Sequence, residues 1–155
     1  MSGKITLSRV AEPDRAVLEN MAKRHFSEIF PDGPLFYSAA LDRYWIETGR
    51  HPYLIQLDGR PIGFALVWNH ADGCHELAEF TIEPAFRKQG IGTEAATMIF
   101  GALGGDWVLG VAKHAPDGMA FWQKCLEGCD DIHEITLGPP RAAQQCGSYS
   151  FRVGR

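Results

Sequence analysis

The six residues from Arg87 to Gly92, Arg-Lys-Gln-Gly-Ile-Gly, combine residue types that can hold an anion. Gly90 and Gly92 have no Cβ, so the backbone N–H groups around them can come close to a ligand. The first N–H groups of a helix lack intrahelical partners, and the helix dipole adds partial positive charge there. Arg87 and Lys88 add two formal charges beside them. The pattern indicates a phosphate site, although a glycine-rich connection with a solvated basic pair has the same composition.

A strand before this loop and a helix after it should position its residues. Residues 76–82 are apolar-rich and end in β-formers, and Pro84 closes the strand because proline has no N–H to donate to a sheet. The helix that opens at Gly92 carries apolar residues at helical spacing, namely Ile91, Ala95 and Ile99. The spacing of the glycines matches neither the Walker phosphate loop nor the dinucleotide-binding fingerprint.

The segment from Ile82 to Gly92 closely resembles motif A of the GNAT family of N-acetyltransferases. That motif has an aliphatic residue, a proline, an aromatic residue, an arginine and two glycines at this spacing. In the family, the loop amides hold the pyrophosphate of acetyl-coenzyme A, so the resemblance implies acetyl-CoA as the cofactor. The residues that it implies for cofactor binding are Phe80, Thr81, Ile82, Arg87, Lys88, Gln89, Gly90, Ile91, Gly92, Thr93 and Trp122.

Transfer of an acetyl group to an amine also requires a base. An alkyl ammonium has a pKa near 10.4, so its deprotonation at pH 7 costs about 4 to 5 kcal/mol. Related acetyltransferases often carry a carboxylate on the strand before the loop, which makes Glu79 the first candidate for the base and Glu76 the second. Three residues apart, the two should lie on opposite faces of a regular strand unless a bulge intervenes. Either carboxylate could instead only orient the cleft by hydrogen bonding.

The chain departs from the family pattern where a leaving thiolate would be protonated. Residues 120–124 resemble a family segment in which a tyrosine commonly donates this proton, and Trp122 stands in its place. An indole N–H is not an acid near neutral pH, and Ala115 replaces an asparagine that usually touches the cofactor. Water can supply the proton, because a thiol pKa of about 8.5 makes protonation at pH 7 worth only about 2 kcal/mol. We interpret Trp122 as packing on the cofactor side. Tyr149 is a speculative substitute acid for which core packing is the favoured interpretation.

The connector between the first two predicted helices, residues 30–34, contains two prolines and a glycine. In the resembled family this connector lies over the acceptor site and varies with the substrate. The predicted acceptor-lining residues are Glu28, Phe30, Asp32, Phe36 and Tyr37. The sequence also allows, and favours, a role for Phe30 and Phe36 in plugging the core.

The order of elements predicts an α/β fold with a central, mostly antiparallel sheet of about seven strands flanked by about four helices. The predicted strands are 4–9, 53–57, 62–68, 76–82, 107–111, 132–137 and 148–153, and the helices are 13–27, 36–47, 92–100 and 118–126. The length of 155 residues predicts one domain over 1–155. The resemblance implies that the fourth and fifth strands splay apart, with Gly110 leaving room for the cofactor arm.

Composition restricts the partners and the compartment. The net charge of −4, from 15 basic and 19 acidic residues, argues against nucleic-acid binding and leaves a cationic small molecule plausible. No apolar run reaches the ~20 residues that cross a bilayer. The four cysteines form no CxxC pair, and the N-terminus does not resemble a signal peptide, so we expect a cytoplasmic protein. The histidine and cysteine spacings match no common metal site. We expect a monomer or homodimer.

Together these features predict an acetyl-CoA-dependent N-acetyltransferase that acts on a small-molecule amine by direct attack in a ternary complex. Two alternatives stay open. The replacements at Trp122 and Ala115 also suit a non-catalytic acyl-CoA-binding sensor, and the acceptor could be a protein N-terminus or lysine. No motif identifies the acceptor.

Overall fold

Seven strands form one sheet in the computed structural model, which describes residues 3–33, 36–115 and 117–154. The strand order is β1-β2-β3-β4-β5-β7-β6, and every neighbouring pair is antiparallel except β4 and β5. The strands are β1 (Ile5–Arg9), β2 (Arg50–Leu57), β3 (Arg60–Asn69), β4 (His75–Ile82), β5 (Gly105–Ala112), β6 (Ile132–Gly138) and β7 (Gln145–Val153). The predicted seven-stranded α/β fold and the antiparallel order of β2, β3 and β4 are confirmed.

In the part of the chain that the structure describes, four α-helices accompany the sheet: α1 (Arg15–Ile29), α2 (Arg43–Ile46), α3 (Ile91–Leu103) and α4 (Gly118–Glu127). The prediction of one continuous helix over 36–47 is wrong. A 3-10 turn at Ser38–Leu41 precedes the single turn of α2, and these turns bury only Leu41 and Tyr44. That spacing of three suits the three-residue turn of a 3-10 helix. Pro34, one of the prolines used to predict the break, lies outside the described residues.

Helices cover both faces of the sheet. On the face covered by α3 and α4, the core is built around large apolar side chains that include Phe100, Trp107 and Leu109. Tyr149 is buried in this core, and burial raises the pKa of its phenol. The other face packs against α1 and α2 through residues such as Leu18, Leu41 and Leu66. No helix in the described part of the chain has the length and apolar character needed to cross a bilayer.

Strand β4 is irregular in a way that opens the middle of the sheet. Leu66 on β3 lies opposite Glu79, whereas the next residue, Val67, lies opposite Leu77, so Ala78 is an extra residue in a β-bulge. On its other edge, β4 pairs with β5 only through residues 75–77, opposite residues 107–109. Residues 78–82 therefore separate from β5, and the implied splay of the two strands is confirmed.

Candidate active site

The bulge in β4 turns two carboxylates toward the same side of the sheet. Glu76 lies opposite Trp68 and Glu79 lies opposite Leu66. Trp68 and Leu66 are two residues apart in β3, so their side chains share one face. Glu76 and Glu79 therefore both face α1 and α2. The sequence predicted opposite faces unless a bulge intervened, and the bulge at Ala78 is that exception.

Glu79 is held by a histidine from α1. His25 Nε2 lies 3.1 Å from Glu79 Oε1, and the two side chains are 9% and 27% exposed. His25 Nδ1 is buried, and no partner for it occurs among the described residues. A buried N–H without an acceptor is costly, so the proton of the neutral ring belongs on Nε2, where it is donated to the carboxylate. No pattern in the sequence signals this contact.

Glu76 has a different environment. Its Oε1 lies 2.8 Å from Nε2 of His70, whose ring packs on Trp68 with a centroid separation of 3.8 Å. Both side chains are about four-fifths buried. Glu76 does not line the neighbouring cleft, whereas Glu79 does. The two carboxylates thus share a face, but only Glu79 is open to a molecule bound there.

That cleft has a volume of about 390 Å³ and lies between α1, the turn before α2, and strands β2 to β4. We call it the aromatic cleft, because six of its lining residues are aromatic: Phe26, Phe30, Phe36, Tyr37, Tyr44 and Trp68. Its size falls at the lower end of the range for small-molecule sites. Two stacked contacts, of Phe26 with Phe30 at 5.7 Å and with Phe36 at 5.5 Å, fix its outer wall.

The predicted acceptor residues divide into two groups. Phe30, Phe36 and Tyr37 line the aromatic cleft, as predicted from the connector. Glu28 and Asp32 do not: Glu28 forms an ion pair with Arg87, and Asp32 is exposed.

Other residues that line the cleft were not predicted from the sequence, and they include Phe26, Tyr44, Arg50 and Trp68. Burial raises the pKa of Tyr44 to about 12, an effect that a nearby arginine, Arg50, partly offsets. Tyr44 is therefore a neutral phenol at physiological pH. The position of Trp68 opposite Glu76 would have indicated it as a cleft residue. That position follows from the pairing register of β3 and β4, which the sequence alone does not give.

The predicted phosphate loop has the conformation expected for anion binding. Gly90 is the N-cap of α3 with a φ of +81°, and Lys88 has a φ of +61°. Within the described chain, the N–H groups from Gln89 to Thr93 donate to no backbone or side-chain acceptor. A Cβ added at Gly90 would meet no atom within 4 Å. This exposed set of amides at a helix start fits a pyrophosphate.

Arg87 is already engaged by protein groups. Its Nη1 and Nη2 donate to the two carboxylate oxygens of Glu28 at 2.7 Å, and its Nε donates to the carbonyl of Ile82 at 2.7 Å. The side chain also reaches the Thr81 hydroxyl at 3.3 Å. The guanidinium therefore fixes the loop to α1 and to the end of β4. A role for Arg87 in cofactor binding stays a prediction. Because its guanidinium is already engaged by Glu28 and Ile82, we expect that role to be the positioning of the loop.

Two aromatic residues of α4 pack behind the loop. A Cβ at Gly92 would lie 3.1 Å from the ring of Phe121, a tight contact, so close packing against α4 favours glycine there. Trp122 is 8% exposed and contacts the ring of Phe80 in an edge-on arrangement at 5.3 Å. Trp122 is thus mainly a core residue beside the open edge of β4.

Gly110 lies against protein atoms. A Cβ at this position would overlap the side-chain amide of Gln145. Gln145 Oε1 also accepts a hydrogen bond from the backbone N–H of Arg141 at 2.9 Å. The sequence interpretation assigned this space to a cofactor arm, whereas in the structure Gln145 occupies it.

Comparison with known proteins agrees with this geometry. The family model described as "Acetyltransferase (GNAT) family" matches residues 15–126. No curated protein sequence matches the chain at a significant level. An acetyltransferase from Thermus thermophilus has a similar fold, with a TM-score of 0.75 and 16% identity, over 99% of this chain and 100% of that one.

Two further similar structures contain coenzyme A. A spermidine N-acetyltransferase from Vibrio cholerae, in complex with CoA and spermine, has a TM-score of 0.69 and 12% identity, with 96% of this chain and 95% of that one covered. A diaminobutyrate acetyltransferase from Paenibacillus lautus, in complex with L-2,4-diaminobutyric acid and coenzyme A, has a TM-score of 0.66 and 13% identity, with 99% and 96% covered. At such low identity these structures show the fold, while the family model covers most of the chain. The chain belongs to the GNAT family of acetyltransferases.

Proposed function

We propose that this protein is an acetyl-CoA-dependent N-acetyltransferase that acts on a small-molecule amine by direct attack in a ternary complex. The observation that carries the proposal is the bulge at Ala78, which aims Glu79 into the aromatic cleft beside the open edge of β4. The cleft and the phosphate loop thus flank one strand segment. Two similar folds are complexes of coenzyme A with the amines spermine and L-2,4-diaminobutyric acid, which supports an amine acceptor.

The cofactor would be held by the free amides from Gln89 to Thr93, with Lys88 as an additional cation. Acetyl-CoA supplies an activated acetyl thioester, so transfer forms an N–C bond, breaks the C–S bond and releases the thiol. The open edge of β4 offers the N–H of Ile82 for polarising the acetyl carbonyl, because the Glu83 N–H next to it donates to Ile62 on β3 and alternate residues point to opposite edges. Trp122 shields this edge from the core side.

Glu79 would receive the proton of the acceptor amine, directly or through one water. The bond from His25 Nε2 restricts the carboxylate to one orientation and leaves its second oxygen for the amine. His25 donates from Nε2 to Glu79, and its buried Nδ1 has no partner among the described residues, so it acts as a positioning residue. Glu76, paired with His70 outside the cleft, would only support the local structure.

The test is to incubate purified protein with acetyl-CoA and pooled small-molecule amines, with a peptide pool in parallel, and to follow both by mass spectrometry. We expect a gain of one acetyl group on a small amine and release of free thiol. Modification of peptides alone would contradict the small-molecule assignment. Cofactor binding without turnover of any acceptor would favour a sensor.

A further inference from the structure

One charged side chain lies buried in the wall of the aromatic cleft. Arg50 is only 5% exposed, and among the charged residues that the structure describes it is the one in the buried class. Its Nε lies 3.3 Å from Glu47 Oε1, and in the described chain no other carboxylate lies within ion-pair distance of Arg50. Glu47 is 48% exposed, so solvent screens this pair. A buried guanidinium is costly unless it binds an anion, which makes Arg50 a candidate anion site.

The position of the guanidinium narrows the choice of anion. Arg50 lies opposite Trp68, which in turn lies opposite Glu76, so the three form one row across β2, β3 and β4. The Arg50 Cζ lies 3.9 Å from the centroid of the Trp68 ring, which places the charge above β3. Tyr44 lies on its other side at 5.3 Å. With Nε directed at Glu47, this stacking leaves the two terminal nitrogens of the planar group for a bidentate contact with a carboxylate.

We propose that the acceptor is an α-amino acid with a large apolar side chain, whose carboxylate binds Arg50 while its amine faces Glu79. This inference rests on the proposed N-acetyltransferase function. Glu79 lies one strand beyond β3, opposite Leu66, which is two residues along β3 from Trp68. With strands about 4.8 Å apart and a rise of about 3.3 Å per residue, the guanidinium above Trp68 and the Glu79 carboxylate are about 8 Å apart. An amine and a carboxylate on the same carbon bridge that distance, each with a hydrogen bond to its own partner.

The rest of the cleft supports the same class of ligand. Its walls include Phe26, Phe36 and Leu66, which are apolar and suited to an aromatic or branched side chain. A second ammonium group, as in a polyamine, would approach the cations Arg50 and Arg43, which both line the cleft. Like charges repel there, so the site selects against dications.

The first test needs no mutation. Acetylation of L-phenylalanine is compared with that of phenethylamine, which lacks the carboxylate, and of L-phenylalaninamide, in which the carboxylate is neutral. The amide has the more readily deprotonated amine and so has the chemical advantage. We expect L-phenylalanine to have a kcat/KM about 10- to 100-fold higher than either analogue, because both lack the charge-assisted contact to Arg50.

The second test isolates Arg50. Arg50→Gln should lower kcat/KM for L-phenylalanine about 10- to 100-fold and leave that for phenethylamine within about twofold. Arg152→Gln, at an exposed arginine on β7 that pairs with Asp106, is the matched control and should change neither. Calorimetric titration with L-phenylalanine, in the absence of acetyl-CoA, should show binding to Arg50→Gln that is weaker than to the wild type by about tenfold or more.

The outcomes separate this inference from the proposed function. Transfer to phenethylamine as fast as to L-phenylalanine would overturn the amino-acid assignment while leaving an N-acetyltransferase. Equal losses for both acceptors in Arg50→Gln would assign Arg50 a structural role and also overturn it. If Arg50→Gln does not fold, the three wild-type rates decide alone. Absence of transfer to every amine, together with no response to acetyl-CoA, would instead contradict the proposed function.

Discussion

The two faces of the sheet differ in what they bury. The face under α3 and α4 is filled with apolar side chains around Phe100 and Trp107, with aromatic contacts at 4.9 Å. The face under α1 and α2 mixes its apolar core with the buried Arg50 and with the His25–Glu79 pair. Desolvated charges are costly and seldom add stability. Stability should therefore come mainly from the first face, while the second face holds the side chains proposed to bind and deprotonate the acceptor.

Glu79→Gln should have the largest effect and should act on activity alone. The amide keeps the size of the side chain and the contact with His25 but cannot accept a proton. We expect kcat/KM to fall by about 100-fold or more, within the range attributed to general bases, with little change in the affinity for acetyl-CoA. Glu76→Gln is the matched variant and should lose less than about tenfold. Equal losses in both variants would remove the distinction between the two carboxylates.

A core substitution on the face under α3 and α4 should lower the stability of the fold instead of acting on activity alone. Trp107 is 1% exposed, and its removal in Trp107→Ala leaves a cavity, so the free energy of unfolding should fall by about 3–5 kcal/mol. Tyr37→Ala removes a ring that is 67% exposed and should change that quantity by less than about 0.5 kcal/mol. Urea unfolding measures both. A large fall in the free energy of unfolding for Tyr37→Ala would show that the cleft wall contributes to stability, which would contradict the proposed difference between the two faces.

The Glu28–Arg87 pair joins the two faces and should have a smaller, pH-dependent effect. Hydrogen bonds from Arg87 lower the pKa of Glu28. The stabilisation is complete above the ordinary glutamate pKa of about 4.3 and disappears as the pH falls through the lower pKa of the folded state. Glu28→Gln should therefore cost about 1–2 kcal/mol at pH 7, after allowance for partial exposure, and progressively less as the pH falls below about 4.3.

Asp32→Asn is the control for this pair, because Asp32 is exposed, and it should change the free energy of unfolding by less than about 0.5 kcal/mol at either pH. A cost of Glu28→Gln that stays constant from pH 7 to pH 3 would show that the carboxylate charge is not involved.

Local patterns in the sequence predicted the fold and the glycine-rich start of α3, whose phosphate-binding role stays a prediction. The turn at Asp58-Gly59, with φ values of +51° and +83°, and the glycine start of α3 depend on neighbouring residues only. The sequence indicated a bulge only as an exception that would bring Glu76 and Glu79 to one face. The bulge at Ala78 itself could not be predicted, because it is defined by the pairing of β4 with β3.

Contacts between distant residues could not be predicted. His25 and Glu79 are 54 positions apart, and Glu28 and Arg87 are 59 apart. The same holds for Arg50, whose place above Trp68 depends on the register between β2 and β3. No spacing within one element indicates such contacts, so most of the aromatic cleft and its charges became visible only in three dimensions.

The most direct test of the central claim is the melting temperature of the protein with and without acetyl-CoA. A ligand that binds only the native state, at about a hundred times its dissociation constant, adds about 2.7 kcal/mol. For a chain of this length that should raise the melting temperature by about 5 to 10 °C. Adenosine lacks the pyrophosphate that we propose is bound by the amides from Gln89 to Thr93, so it should raise the melting temperature far less. A melting curve unchanged by millimolar acetyl-CoA would contradict the account.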